Sequence, residues 1–245
     1  MVTLPGMYSD DDAAALYDVL NPWALCDDFY LSHVMAAEAV LDVGCGTGMM
    51  LHRARQEGHT GRLCGVDPDT ASLRRARVRE DVEWIEDRAE GMDFEAEFDL
   101  AFMASNAFQV FVSEAELRES LTAIRAALRE GGSFVFGTRA PSARGWERWR
   151  PENATEVVDH RGRALRVEHR VEEVTAGTVT FTETIATREG EVLRVDRSTL
   201  RFLNADEIDA QLAATGFTVA ERYGDWHRGP LTPASHNIVT VARAV

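Results

Sequence analysis

The stretch Val40–Met50, VLDVGCGTGMM, holds the residues whose types and spacing best suit the binding of a ligand. A carboxylate, Asp42, lies within an apolar run, and five small residues follow: Gly44, Cys45, Gly46, Thr47 and Gly48. Glycine allows positive φ and the close approach of a ligand to the backbone. The helix N-terminus behind such a turn offers free N–H groups and the positive end of a dipole. The pattern predicts a buried strand, a ligand-binding turn and a helix.

The glycine spacing separates two kinds of nucleotide-like ligand. The dinucleotide fingerprint G-x-G-x-x-G needs its third glycine three residues after the second. Met49 occupies that position, and the third glycine comes one residue earlier, at Gly48. The resulting G-x-G-x-G, with an acid two residues before it, resembles the first motif of class I S-adenosylmethionine-dependent methyltransferases. An NAD-linked dehydrogenase of the Rossmann type stays open as the alternative on this motif alone.

The next two segments resemble the same family. Leu63–Val66 predicts a second strand ending at Asp67, where an acid about twenty residues past the turn suits the two hydroxyls of a ribose. Val82–Ile85 predicts a third strand. In the methyltransferase family the acid after that strand, matched here by Asp87, commonly accepts a hydrogen bond from the adenine amino group.

Two further strands follow in the order typical of this family. Phe98–Met103 predicts the fourth strand and Glu114–Leu128 a helix. Gly131-Gly132 is expected to close that helix, and Ser133–Phe136 to form the fifth strand. The four motifs in this order are similar to a class I methyltransferase of the small-molecule type.

The resemblance covers residues 40–137 and implies S-adenosyl-L-methionine as cofactor and S-adenosyl-L-homocysteine as product. The residues that it places around the cofactor are Tyr17, Tyr30, Asp42, Gly44, Cys45, Gly46, Thr47, Gly48, Asp67, Pro68, Asp87, Arg88, Ala89, Met103 and Ser105. For Tyr17 and Tyr30 the alternative is a place in the hydrophobic core.

Alternating strands and helices predict an α/β fold with a doubly wound, mostly parallel seven-stranded sheet, Rossmann-like, in which the last strand is reversed. Three β-rich segments, Ala164–Glu173, Thr178–Arg188 and Glu191–Leu203, predict a small antiparallel insertion. The expected organisation has four parts: residues 1–37 as a helical lead-in, 38–137 as the cofactor-binding core, 138–203 as the insertion, and 204–245 as the final helix and edge strands. The lead-in is expected to hold helices from about Asp10 to Leu20 and from Asp27 to Ala37.

Candidate acceptor-binding residues follow the fourth strand and precede the last one. Asn106 and Gln109 are expected at the floor of a pocket, since ligands of open α/β sheets bind beyond the carboxyl ends of the strands. Helix capping or loop hydrogen bonding is the alternative for both. Trp226-His227 is expected at the roof, with His227 as the best acid–base candidate and Asn106 as a second catalytic candidate. Ser105–Phe108 lacks the Asn/Asp-Pro-Pro-aromatic motif of base and amide methyltransferases.

The composition of the chain limits the kinds of partner that the protein is expected to bind. The net charge of −15, from 41 acidic and 26 basic residues, disfavours a nucleic acid and suits a neutral or cationic small acceptor, with an amine preferred over a phosphate-bearing compound. No apolar run is long enough for a membrane span, and the N-terminus lacks the basic and apolar regions of a signal peptide. Cys26, Cys45 and Cys64 form no C-x-x-C pair, which predicts a reducing, cytoplasmic compartment and no metal site.

The sequence therefore predicts methyl transfer from S-adenosylmethionine to a nitrogen or oxygen of a small metabolite. Besides the dehydrogenase, a protein that binds S-adenosylmethionine without turnover is the alternative, because Asp42, Asp67 and Asp87 predict binding only.

Overall fold

A computed structural model describes residues 8–245. The helices are α1 (Asp10–Leu20), α2 (Leu25–Val34), α3 (Met49–Gln56), α4 (Thr70–Ala76), α5 (Glu114–Ala127) and α6 (Ala205–Ala214). The strands are β1 (Ala39–Val43), β2 (Arg62–Asp67), β3 (Glu83–Glu86), β4 (Phe98–Met103), β5 (Leu128–Arg139), β6 (Thr155–Val158), β7 (Ala164–Thr175), β8 (Thr178–Thr187), β9 (Val192–Arg201), β10 (Phe217–Tyr223) and β11 (Asn237–Ala244). No helix within this range is both long and apolar enough to span a bilayer.

The larger sheet has seven strands in the order β10-β11-β5-β4-β1-β2-β3. β1 to β5 pair in parallel, whereas β11 runs antiparallel to both β5 and β10. This confirms the predicted α/β sheet with a reversed last strand. The chain leaves β1 toward β2 on one side and returns to β4 on the other, so the carboxyl ends of β1 and β4 form the crevice where ligands of such sheets bind.

Helices cover both faces of this sheet, which explains why all five residues of β1 are buried. α5 presents Leu117, Leu121 and Ile124 to one face, in a cluster that also contains Phe134 and Phe136 of β5. On the opposite face Phe29 of α2 and Leu51 of α3 belong to a cluster with Val40 and Phe102. The two packed faces fix the positions of the strand ends that border the crevice.

The second sheet is antiparallel, with the order β6-β7-β8-β9. β7, β8 and β9 correspond to the three predicted segments, while the short first strand, β6, was absent from the prediction. α1 packs against this sheet, with Leu16 in one cluster with Leu165, Val167 and Ile185. α1 thus lies between the insertion and the larger sheet.

Ion pairs hold α1 from both sides. Toward the insertion, Asp10 pairs with Arg194 at 2.7 Å and the buried Asp12 with Arg161 at 2.7 Å. Toward the larger sheet, Asp11 pairs with Arg74 of α4 at 2.6 Å. The predicted lead-in helix is therefore attached to both parts of the molecule.

Two predicted boundaries are wrong. Gly131-Gly132 lies inside β5 and does not close a helix, because Leu128 already pairs with Phe98 and the register shifts just after that pair. α2 begins at Leu25 and ends at Val34, earlier than the predicted range, because Asp27 accepts a hydrogen bond from the Ala24 N–H at 2.8 Å and so caps the helix start.

Candidate functional site

A cavity of about 340 Å³ lies at the carboxyl ends of β1 and β4, within the size range of small-molecule sites. Four stretches of chain surround it, in addition to Ser72, Arg139 and Leu200. They contribute Tyr17, Asp18, Asn21 and Asp27 from α1, α2 and the segment between them; Asp42, Gly44, Cys45, Gly46, Thr47, Met49 and Met50 around the glycine turn; Asp67 at the end of β2; and Ala104, Ser105, Asn106, Ala107 and Val110 after β4.

The glycine turn has the backbone that its sequence predicts. Gly44, Gly46 and Gly48 all have positive φ, at 78°, 53° and 79°. A Cβ on Gly48 would lie 2.4 Å from the ring of Trp84, so a glycine is required there. A Cβ on Gly46 would meet nothing within 4 Å, so this part of the turn borders open space that a ligand can approach.

Asp67 connects the turn to the end of β2. One of its carboxylate oxygens accepts a hydrogen bond from the Gly46 N–H at 2.7 Å, and the other accepts from the Asp69 N–H at 2.8 Å. A carboxylate offers about four acceptor sites, so Asp67 keeps capacity for ligand hydroxyls. Burial raises the pKa of this carboxyl.

Asp42 lies beneath the turn and is almost wholly buried. Its Oδ1 atom has no hydrogen-bond partner among residues 8–245. Burial raises the pKa of Asp42 well above its ordinary value, and the nearby charge of Asp67 adds to the effect. An unpaired buried carboxyl costs folding free energy, which is understandable where a cationic ligand group is to be bound.

α1 and α2 form the opposite wall. The Thr47 hydroxyl donates a hydrogen bond to Asp18, which is also in an ion pair with Arg75 of α4 at 3.3 Å. Asp27 lines the cavity while it caps α2, and burial raises its pKa. Tyr17 has 46% of its surface exposed and lines the cavity from α1.

The segment after β4 carries local strain. Ser105 and Asn106 both have left-handed backbone, with φ of 52° and 61°, a conformation that asparagine tolerates better than most residues. The buried side-chain oxygen of Asn106 has no partner within the described chain. Strained residues of this kind cluster at ligand sites, and Asn106 lines the cavity.

The structure brings together many of the residues predicted from the sequence. Tyr17, Asp42, Gly44, Cys45, Gly46, Thr47, Asp67, Ser105 and Asn106 all line the cavity. Tyr30, Gly48, Pro68, Asp87, Arg88, Ala89, Met103, Gln109, Trp226 and His227 lie outside its lining.

The predicted roof of Trp226-His227 is not found in the structure. The indole ring of Trp226 packs against Tyr30, with ring centroids 5.3 Å apart, and lies over Gly137, where a Cβ would approach it to 2.3 Å. His227 is exposed. The large indole packs against α2 and β5, so the loop lies beside the core, and neither Trp226 nor His227 is among the residues that line the cavity.

Tyr30 and Met103 are core residues. Each is 1% exposed, and the Tyr30 ring lies 5.8 Å from that of Phe102. The alternative anticipated for the lead-in tyrosines therefore applies to Tyr30, whereas Tyr17 reaches the cavity.

Gln109 does not form the pocket floor. It is 1% exposed, and its side-chain amide donates to the Arg201 carbonyl oxygen at 3.0 Å. Its amide oxygen accepts from the Arg139 backbone N–H at 3.2 Å and from the Arg139 guanidinium at 3.1 Å. Gln109 therefore links the end of β5 to the insertion and positions a cavity residue.

The residues after β3 lie beyond the cavity, at the open edge of the site. Asp87 accepts a hydrogen bond from the Arg88 N–H at 2.7 Å, and the Arg88 side chain pairs with Glu90 and Glu116. Ala89 is buried beside them, and Pro68 is exposed after β2. Their contact with an adenine or a ribose stays a prediction.

Sequence reasoning missed several cavity residues: Asp18, Asn21, Asp27, Arg139 and Leu200. Asp18 and Asp27 have the sequence signature of ordinary helix-start or surface acids, and Arg139 follows a strand with no motif around it. One usable signal existed, because Arg139 stands at the carboxyl end of the fifth strand, the edge where ligands bind.

Comparison with known proteins agrees with this geometry. The family described as "Methyltransferase domain" matches residues 40–132. The cypemycin N-terminal methyltransferase of a Streptomyces species is 31% identical over 146 residues, which are 56% of this chain and 58% of that protein. The match therefore spans less than two thirds of the curated relative.

Solved structures share the whole fold. The CcbJ methyltransferase of Streptomyces caelestis has a TM-score of 0.75 at 19% identity, over 97% of this chain and 100% of that one. CalS10, an amino pentose methyltransferase from Micromonospora echinaspora solved with S-adenosylmethionine bound, has a TM-score of 0.69 at 22% identity, over 95% and 96%. The sugar N-methyltransferase KedS8 of Streptoalloteichus gives 0.71 at 20%, over 99% and 96%.

The chain therefore has a Rossmann-like fold that it shares with solved S-adenosylmethionine-dependent methyltransferases, and residues 40–132 match the methyltransferase-domain family. Among the solved structures with this fold, CalS10 contains S-adenosylmethionine and a methyltransferase from Bacteroides fragilis contains S-adenosyl-L-homocysteine.

Proposed function

We propose that this chain transfers the methyl group of S-adenosylmethionine to a nitrogen or oxygen of a small metabolite, and that an amine nitrogen is the preferred acceptor. The names of three relatives support an amine: one acts at a peptide N-terminus, one on an amino pentose and one on a sugar nitrogen. The size of the cavity supports a small acceptor.

The residues around the glycine turn fit the cofactor. Its ribose has two hydroxyls, and its methionine part carries a sulfonium and an ammonium. Asp67 retains free acceptor sites for the hydroxyls, and the unpartnered Oδ1 of Asp42 provides a buried carboxyl close to the turn, whose ionised form a cationic ligand group would favour. The open space above Gly46 leaves room for the nucleoside against the backbone.

When bound, S-adenosylmethionine supplies an activated methyl group that moves by in-line displacement on carbon. The residues of this chain need to align the acceptor and exclude water, a contribution that reaches several kcal/mol in well-oriented reactions. The Asn106 amide oxygen can accept a hydrogen bond from an acceptor N–H and so direct the nitrogen lone pair. Tyr17 on α1 lines the same cavity.

Proton removal from the acceptor falls to groups other than His227. The cavity lining drawn from residues 8–245 contains no histidine. Among the titratable groups that do line it, burial raises the pKa of Asp27. An acid with a raised pKa is better suited to hold a proton released by an amine than an ordinary surface carboxylate.

One observation carries the proposal: a single cavity joins the glycine turn and Asp67 to the unpartnered amide of Asn106. The test is incubation of the protein with radiolabelled S-adenosylmethionine and a panel of amines, phenols and carboxylic acids. We expect transfer of label to at least one amine. Binding of S-adenosylhomocysteine without transfer to any compound would instead support a protein that binds the cofactor without turnover.

Cofactor choice is tested separately by calorimetry. We expect micromolar-range affinity for S-adenosylhomocysteine and no appreciable binding of NAD, because Met49 stands where the dinucleotide fingerprint needs glycine. Tighter binding of NAD would contradict the proposal.

A further inference from the structure

Arg139, the last residue of β5, brings a positive charge into a cavity whose other charged lining residues, among residues 8–245, are all acids. Its side chain is half-buried and lines the cavity. Within residues 8–245 it forms no ion pair with any carboxylate, since its side-chain contacts are the amide oxygen of Gln109 at 3.1 Å and the ring of Trp149 at 5.5 Å. Burial lowers the pKa of this guanidinium. A buried charge without a counterion is costly, so its position calls for an anionic partner.

The orientation of the guanidinium is fixed. Gln109 accepts from Nη1 and from the Arg139 backbone N–H, and it is itself anchored to the Arg201 carbonyl oxygen. Nε and Nη2 have no protein partner in the described part of the chain. These two atoms form the side-on edge of the guanidinium, which binds a carboxylate through two parallel hydrogen bonds.

The strand order separates the backbone of Arg139 from the glycine turn along the edge of the sheet. The glycine turn follows β1 and Asp67 ends β2, whereas Arg139 ends β5, two strands from β1 in the opposite direction. With neighbouring strands about 4.8 Å apart, the backbone of β5 lies about 10 Å from that of β1. The segment after β4, which contains Asn106, lies between them.

We propose that Arg139 binds a carboxylate group of the methyl acceptor, so that the acceptor is an amine that also carries a carboxylate. The inference rests on the proposed function and narrows its substrate class. It replaces the neutral or cationic acceptor expected from the net charge, because the local charge at the end of β5 is opposite to that of the whole chain. The nitrogen then lies near Asn106 while the carboxylate occupies the side-on edge of Arg139.

The first test compares amino acids with the amines that their decarboxylation gives, using radiolabelled S-adenosylmethionine. The wild-type protein should methylate the amino acids in preference to the amines that their decarboxylation gives. Transfer only to the decarboxylated amines would overturn the inference while leaving the proposed function in place. Transfer to neither set would overturn both.

Variants assign the effect to Arg139. With a carboxylated acceptor, Arg139→Met should lower kcat/KM by about 10- to 150-fold, the loss expected for a charged hydrogen-bonded pair, mainly through KM. With the matching decarboxylated amine the two proteins should differ by less than about threefold. Arg139→Lys keeps the charge but loses the paired geometry, and should recover part of the activity. Arg148→Met, which removes an exposed arginine nearby in the chain, should behave as wild type in both assays.

The cofactor also carries a carboxylate, on its methionine part. A binding experiment shows whether Arg139 binds the carboxylate of the cofactor or that of the acceptor. We expect Arg139→Met to bind S-adenosylhomocysteine and 5′-methylthioadenosine, which lacks the amino-acid part, with wild-type affinities. A tenfold loss of affinity for S-adenosylhomocysteine alone would assign Arg139 to the cofactor. Equal loss of kcat/KM for carboxylated and decarboxylated acceptors would assign it to the structure of the loop. Either result overturns the inference.

Discussion

The hydroxyl group of Thr47 donates a hydrogen bond to the carboxylate of Asp18. This contact joins the glycine turn after β1 to helix α1, which is separated from it by α2 in the chain. Both residues line the cavity. The lead-in helix is thus part of the binding site, attached to the segment expected to contact the cofactor.

Replacement of Thr47 by valine tests this attachment. The substitution keeps the shape of the side chain and removes a hydrogen bond to a charged group, worth about 1.5–3 kcal/mol. We expect the dissociation constant of S-adenosylhomocysteine to rise about tenfold or more, and hydrogen exchange in α1 to become faster. Ser113→Ala removes the cap of α5, outside the cavity lining, and should leave both quantities unchanged. Equal behaviour of the two variants would contradict the role given to the contact.

Asp67 and Asp69 form a matched pair of acids. Asp67→Ala removes a cavity carboxylate and should raise the dissociation constant of S-adenosylhomocysteine about tenfold or more, from the loss of charged hydrogen bonds. Asp69 caps α4 and lies outside the cavity lining. Asp69→Ala should lower stability by about 1 kcal/mol and leave affinity intact. Wild-type binding by a folded Asp67→Ala protein would show that this residue does not hold the ribose.

Substitutions at Tyr17 and Tyr30 are expected to affect different properties, cofactor binding for Tyr17 and folding stability for Tyr30. Tyr17 is largely exposed at the cavity, so Tyr17→Ala should weaken cofactor binding and slow turnover while the melting temperature changes little. Tyr30 is fully buried against Phe102 and Trp226, so Tyr30→Ala should cost about 3–5 kcal/mol of stability. Thermal melts and calorimetry on the two variants measure both effects. The reverse pattern would show that Tyr30 is the tyrosine that contacts the cofactor.

Asp42 predicts a pH dependence with a defined sign. Its pKa is raised by burial well above the ordinary value of 3.8. The folded chain therefore keeps this proton where the unfolded chain has lost it. The contribution of the Asp42 carboxyl to the free energy of unfolding is therefore fully present below about pH 4. It is lost as the pH rises through the pKa of Asp42 in the folded chain.

The Asp42→Asn variant has an amide that cannot ionise at this position, so it does not lose stability in this way as the pH rises. It should be more stable than wild type at pH 7 without ligand, with the difference vanishing near pH 3, as measured by urea denaturation over a pH series. Its affinity for S-adenosylmethionine should be lower, because a cationic cofactor favours ionisation of the Asp42 carboxyl and the amide of Asn cannot ionise. A constant difference in stability at every pH would contradict the assignment.

The sequence predicted the parts of this molecule that depend on local pattern. Strand β1 and the turn at Gly44 were predictable because an apolar run followed by spaced glycines permits few other backbones. The placement of Asp67 followed from the parallel order of β1 and β2, which brings both carboxyl ends to one edge. Each of these features depends on residues close together in the chain or on a regular strand order.

The predictions that the structure does not support concern side chains whose contacts are with residues distant in the chain. Trp226 was expected at the cavity because the loop before the last strand can border a site, yet it packs against Tyr30, 196 positions earlier in the chain. Gln109 was expected to face a ligand, but it binds Arg139 and the distant Arg201. Neither pairing leaves a periodic signal in the sequence.

The cavity takes its walls from both sheets. Asp42, Thr47 and Asp67 belong to the seven-stranded sheet, and Leu200 is the cavity residue supplied by the four-stranded one. Under the proposed function, changes along β9 are therefore expected to alter the choice of acceptor more than the binding of the cofactor. In evolution or in the laboratory, such a molecule would acquire new methylation targets through substitutions in the four-stranded sheet while its methyl donor stays the same.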